Sequence, residues 1–140
     1  MPKVLVFTAY DQEYAIDIEA VREIRNWVQA TPIPSSPSFM EGIINIRGTV
    51  IPLIDFCKKI KSLKDGIEKK AMIIIEKGEK TVSFSVHNVS DIIDYDEGVR
   101  KNLPDVSNSD ISNFVDGILS IDNRVIFILN VSGLIEECFH

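Results

Sequence analysis

The chain carries an internal repeat, and the repeat constrains its fold more than any single motif does. Residues Val4 to Ile24 (VLVFTAYDQEYAIDIEAVREI) lie without a gap on Met72 to Ile92 (MIIIEKGEKTVSFSVHNVSDI) at an offset of 68. Apolar residues coincide at Val4/Met72, Leu5/Ile73, Val6/Ile74, Phe7/Ile75, Ile16/Phe84, Ile18/Val86, Val21/Val89 and Ile24/Ile92. A second match, at an offset of 75, lays EGIINIRGTVIPLIDF (Glu41 to Phe56) on DGILSIDNRVIFILNV (Asp116 to Val131), with Gly42 on Gly117, Ile46 on Ile121 and Val50 on Val125. Within each copy the periodicity is that of strands: Ile16 and Ile18 face away from Asp17 and Glu19, and Val82, Phe84 and Val86 alternate in the same way. Each half reads as a hairpin, a bent strand, an irregular connection and a second hairpin, roughly five strands in all. Short antiparallel strands have edges to hide, and curling into a small barrel hides them. The expected fold is all-β, two packed five-stranded barrels over approximate halves 1–66 and 67–140, with exchange of the first strands between halves left open.

Local chemistry refines this outline. The apolar runs Ile43 to Ile46 and Val50 to Ile54 meet at Arg47-Gly48, which reads as a tight hairpin turn whose twin is Asp122-Asn123. Arg47 then stands at an exposed tip, where a guanidinium suits a partner carboxylate or carbonyl, although turn residues are also polar simply because they are solvated. Gly42 and Gly48 are better explained by backbone geometry than by contact. Pro32, Pro34 and Pro37 make ATPIPSSPSF a connection outside any ladder, with Leu103 to Phe114 as its counterpart. The basic stretch Lys58 to Lys70 reads as a solvated linker. VSGLIEECF reads as a short C-terminal helix capped by Ser132.

With 45% hydrophobic residues among 140, the chain can bury a core without staples. A net charge of −6 opposes nucleic acid, and no run approaches the ~20 apolar residues of a membrane span. MPKVLVF enters a strand directly without a secretory pattern, so a cytoplasmic protein is expected. No chemistry-bearing cluster stands out. His87 lies on an alternating strand and His140 is the last residue; Cys57 reads as a packed residue, and Cys138 with His140 gives too few ligands for a closed metal site. GEKT at Gly78 to Thr81 lacks the first glycine of a phosphate loop and reads as a turn. The expectation is a binding protein without catalytic residues, cofactor or metal.

Tyr14 to Ile18, Val21 to Ile24, Pro34, Phe39 and the run Gly42 to Asp55 (GIINIRGTVIPLID) together resemble the CheW family of bacterial chemotaxis coupling proteins, from Val4 to about Leu134. The resemblance implies two SH3-like barrels and a non-catalytic adaptor between chemoreceptor tips and the regulatory domain of the histidine kinase CheA, with recruitment to membrane-associated receptor arrays. It also implies that receptors dock in the groove between barrels, and that Val21, Glu23 and Arg47 stand at partner-contact and signalling positions. Two readings of the residues themselves remain open: Glu23 and Arg47 form a structural ion pair or each meets a partner, and Val21, repeated as Val89, is core or part of an apolar patch. The chain departs from the family pattern at Cys57, Ser83 and His87, which bears on whether kinase binding is retained. The alternative function is a solitary module that takes a peptide or small ligand in the groove.

Overall fold

The structure is a computed structural model that describes residues 2–61, 68–103 and 114–138. β1 (Lys3–Ala9) turns into β2 (Gln12–Asp17) through Tyr10 and Asp11, β4 (Met40–Ile46) into β5 (Thr49–Asp55) through Arg47 and Gly48, and β10 (Val115–Ile121) into β11 (Arg124–Leu129) through Asp122 and Asn123. These turn residues all have positive φ, from 50° to 86°, which gives the mirror-image turn whose twist matches the flanking strands. The remaining hairpin, β6 (Ala71–Lys77) to β7 (Lys80–Val86), turns at Gly78 with φ 63°, so GEKT is a hairpin turn.

The bent strands are where the chain changes sheet. β2 passes through a single 3₁₀ turn at Ile18–Ala20, capped by the Asp17 carboxylate accepting from the Glu19 amide at 3.0 Å, into β3 (Val21–Asn26). β7 passes through His87 into β8 (Asn88–Asp94). One sheet has the order β3-β6-β7-β5-β4; the other runs β8-β1-β2-β11-β10-β9, where β9 is only Arg100–Lys101. Each sheet therefore contains a hairpin from the opposite half of the chain, joined by the parallel pairs β5/β7 and β2/β11. Closure is alike in both. The chain leaving β3 returns to make a two-way bridge, Thr31 with Ile43 of β4, at 2.9 Å each way, and the chain leaving β8 returns as β9 to pair with β10. The sixth strand is thus the closing segment of a five-stranded barrel.

Three apolar clusters follow. Val4, Val6, Ala15, Leu119 and Ile126 fill one barrel, and Ile44, Ile51, Leu53, Met72 and Ile74 fill the other. The largest cluster is the seam between the sheets, where Phe56 packs edge-on against Phe7, Tyr14 and Phe84 at centroid distances of 5.0, 4.9 and 6.0 Å. Burial there, with a smaller contribution from neighbouring Cys57, pushes the Tyr14 phenol up to about 12.

Three features differ from expectation. Phe56–Lys61 forms a short helix, α1, because the buried Asp55 carboxylate accepts from the Lys58 amide at 3.1 Å and caps it. The basic stretch is therefore not wholly a solvated linker: Lys69 lies 3.2 Å from Glu41 and 3.5 Å from Asp55, over the Trp27 ring, while residues 62–67 lie outside the described part. The C-terminal helix α2 (Val131–Cys138) is capped by Asn130, which accepts from the Gly133 amide at 3.1 Å, and not by Ser132. Of the second connection, residues 104–113 likewise lie outside the described part.

Candidate functional site

β3 is the strand on which the site is built. It pairs on one side only, with β6, through a register shift between Val21 and Glu23, and its side chains emerge from the core as it proceeds. Val21 is half-buried against the seam cluster. Glu23 turns toward the β4–β5 tip, where Arg47 donates to it twice, Nη2 to Oε2 at 2.6 Å and Nη1 to Oε1 at 3.2 Å. Arg25, two residues along and so on the same face, donates to the same Oε1 at 3.1 Å. The Arg47 hydrogen bond is the main reason the Glu23 carboxyl titrates below its ordinary range, with both arginine charges adding to it. The structure thus brings Glu23 and Arg47 together as a two-pronged pair and leaves the Arg47 side chain 64% exposed. Val21 is on the same strand, packed inward, as its twin Val89 is.

The repeat supplies a control for this pair. Asp91 on β8 stands 68 residues after Glu23, and it too is met by an arginine from the facing hairpin, Arg124 Nη2 at 3.3 Å. Arg124 also holds Glu13 through two bonds of 3.0 and 2.7 Å, and these carboxylates keep its guanidinium above its ordinary range. Acid on the third strand and arginine on the closing hairpin is therefore a strut common to both barrels. Arg124 shares itself between two carboxylates and is largely covered; Arg47 spans to one and faces solvent.

Beside the strut, β3 and the start of β6 face the start of β8 across an open cleft of about 760 Å³, lined among others by Glu23, Ile24, Arg25, Val28, Lys70 and Val89. Ile24 and Val28 expose 43% and 48% of their surface. Sequence reasoning did not single out Ile24, Arg25, Val28 or Lys70. Ile24 looked like one more apolar match with Ile92, yet both are exposed; simple alternation gives no signal here, because the register shift between Val21 and Glu23 breaks the period of two along β3.

Of the three departures from the family pattern, Cys57 and Ser83 are inside and His87 is half-buried. Cys57, on α1, is buried in the seam, and neither cysteine is in a disulfide. Ser83 is buried with its hydroxyl unbonded, and Ser85 donates to the Glu41 carboxylate, which also receives the Trp27 indole N–H at 3.1 Å. His87 Nδ1 lies 2.8 Å from the Glu68 carbonyl oxygen. Among the described residues no helix is long and apolar enough to cross a membrane, and no cluster of three or more His, Cys, Asp or Glu could hold a metal ion.

Comparison with known proteins places these features in context. The family model described as "CheW-like domain" matches residues 3–139. A Rhizobium etli protein named "Probable chemotaxis protein CheW" is 35% identical over 136 residues, 96% of this chain and 88% of the relative. The Rhizobium meliloti "Chemotaxis protein CheW" is 31% identical, covering 94% of this chain and 86% of its own length. Among solved structures, the scaffolding protein TtCheW from Thermoanaerobacter tengcongensis superposes with a TM-score of 0.83 at 36% identity, over 93% of this chain and 90% of that one.

Proposed function

We propose, for a chain that belongs to the family of CheW-like domains, the role of a chemotaxis coupling scaffold that joins chemoreceptors to a CheA-type histidine kinase. Relatives named as chemotaxis proteins and a structural neighbour named as a scaffolding protein favour coupling over a solitary module for small ligands. In this reading the protein turns nothing over, needs no cofactor, and works in the cytoplasm at membrane-associated receptor arrays. Its partners are the regulatory domain of the kinase and the cytoplasmic tips of the receptors, and its contacts are individually weak and summed by multivalency. The contact residues are Glu23 and Arg47, with Val21 setting the strand that carries Glu23.

One observation carries the site assignment. Arg47 occupies a turn position with φ 50°, a conformation unfavourable to a long side chain, while the twin turn uses Asp122 and Asn123, residues that accept it readily. An arginine at such a place is explained by what its side chain does, and that side chain is tied by two hydrogen bonds to Glu23, which lines the cleft. Calorimetric titration against the kinase regulatory domain and a receptor-tip fragment tests the reading. Saturable 1:1 binding of the parent to both is expected. Arg47→Ala should weaken receptor-tip binding by roughly three- to ten-fold while its melting temperature stays within about 3 °C of the parent. An Arg47→Ala protein that binds the tip like the parent would remove Arg47 from the site; a parent that binds neither partner would remove the coupling role.

A further inference from the structure

The charge of the cleft runs against the charge of the chain. The protein carries −6 overall, yet Glu23 is the only carboxylate among the described residues that line the cleft, and it already accepts from Arg47 and Arg25. Arg25 shares Oε1 with Arg47 and spends a single N–H there, so the remaining donors of its guanidinium are unspent. Lys70 has no carboxylate partner among the described residues. Its backbone is fixed, donating to Val86 at 3.2 Å and accepting from Trp27 at 3.1 Å, so its side chain projects from a defined point. The same cleft is lined by the exposed apolar side chains Ile24 and Val28.

We infer that the cleft selects a protein segment whose apolar ridge is flanked by carboxylates, Ile24 and Val28 taking the ridge and Arg25 and Lys70 the carboxylates. This rests on the reading of the cleft as a docking site and adds the chemistry of what docks. A basic ridge would meet two cations and a carboxylate whose charge is already balanced by Arg47 and Arg25, so it is disfavoured by repulsion. Because the rest of the surface is acidic, the attraction is confined to the cleft and acts at short range. It sets which segment fits more than how fast it arrives.

Two designed peptides test the inference without any natural partner: the same leucine ridge, flanked in one by glutamates and in the other by lysines. Binding is followed by fluorescence anisotropy at low and physiological salt, and a receptor-tip fragment is titrated alongside. The glutamate peptide should bind at least roughly ten-fold tighter than the lysine peptide, with the difference shrinking as salt rises. The double variant Arg25→Glu, Lys70→Glu should reverse the order. Equal binding, or binding of neither peptide, overturns the inference, as does sedimentation showing that the free protein pairs with a second copy and takes neither peptide. If the tip binds the parent and the double variant equally, the charge selection is wrong while docking stands. If the glutamate peptide is preferred but the tip does not bind, the selection stands and the receptor reading fails.

Discussion

Glu23 is a carboxylate whose state decides whether the tip is rigid. Its folded-state titration lies below the ordinary carboxylate range because Arg47 and Arg25 hold the charged form. A depressed carboxyl contributes stability that is present above its unfolded value and lost as pH falls through its folded value. The strut is therefore intact at neutral pH and through mild acid, and opens only below the range in which free glutamates protonate. Carbon-detected NMR titration should show the Glu23 midpoint below 4.5, the ordinary value, and Arg47→Ala should move it upward; a midpoint at or above 4.5 in the parent would mean that the pair does not form in solution. Asp55 presents a different case, being 1% exposed. One of its oxygens caps α1 and the other faces Lys69, which in turn meets Glu41. Asp55→Ala removes a helix cap and one side of a buried ion pair, a loss of about 2–4 kcal/mol after allowing for the partial solvation of Lys69. Asp55→Asn keeps a capping oxygen and should lose roughly half as much. Urea denaturation separates the two, and a loss below ~0.5 kcal/mol for the alanine variant would show that the cluster is solvated and inessential.

At the scale of elements, the glycines that the repeat superposes mark where each barrel closes. Gly42 has φ 145°, and a Cβ there would stand 2.1 Å from the carbonyl oxygen of Thr31, the residue that bridges to Ile43. Gly117 has its own crossing, with a Cβ falling 2.9 Å from the Lys101 carbonyl oxygen on β9. Gly48 differs, since its Cβ would meet nothing within 4 Å and only its φ of 86° resists a side chain. Gly42→Ala should therefore destabilise by roughly 3 kcal/mol or more, through displacement of the closing segment, and Gly48→Ala by only about 1–2 kcal/mol. Denaturant midpoints of the two variants check the order, and equal losses would mean that the Thr31 bridge is dispensable. These elements were largely legible in the sequence. Alternation gave the strands, Gly-containing and Asx-rich dipeptides gave the turns, and the three prolines gave the connection outside the ladders. What escaped was anything set by tertiary contact. The cap on α1 depends on Asp55 being held at the end of a buried strand, and the cap on α2 on Asn130, whose own amide donates to the Phe114 carbonyl at 2.6 Å. Lys69 belongs to a buried cluster because Glu41 and Asp55 come to it from β4 and β5. The pairing of Glu23 with Arg47 was among the alternatives; its counterpart at Asp91 and Arg124 was not visible, because the arginines are displaced by two positions when the halves are aligned.

For the whole molecule, the repeat says which strands are equivalent but not which sheet each one joins. Sheet membership is decided at the bends, where Ile18–Ala20 and His87 carry the chain from one sheet to the other. The consequence is that neither sheet can be assembled from one half of the chain. The sheet with β3, β4 and β5 needs β6 and β7 as its centre, and the other needs β1 and β2. The seam is correspondingly the largest apolar cluster, with Phe56 at its middle touching aromatic rings from β1, β2 and β7. Unfolding one sheet withdraws strands and seam contacts from the other, so a single cooperative transition is expected. The one tryptophan provides the test, because Trp27 packs on the core of the β3–β7 sheet and reports it alone, whereas far-ultraviolet circular dichroism reports both. Midpoints from the two signals should coincide in the parent. They should also coincide in Phe56→Ala, which deletes the centre of the seam at a cost of about 3–5 kcal/mol. A tryptophan midpoint displaced from the dichroism midpoint would show the two barrels melting separately, and the exchanged hairpins would then be a covalent convenience and not the source of cooperativity. Coincidence in both proteins makes the seam a rigid frame. A scaffold requires such a frame if the cleft, which takes its walls from both sheets, is to keep its shape when a partner pulls on one of them.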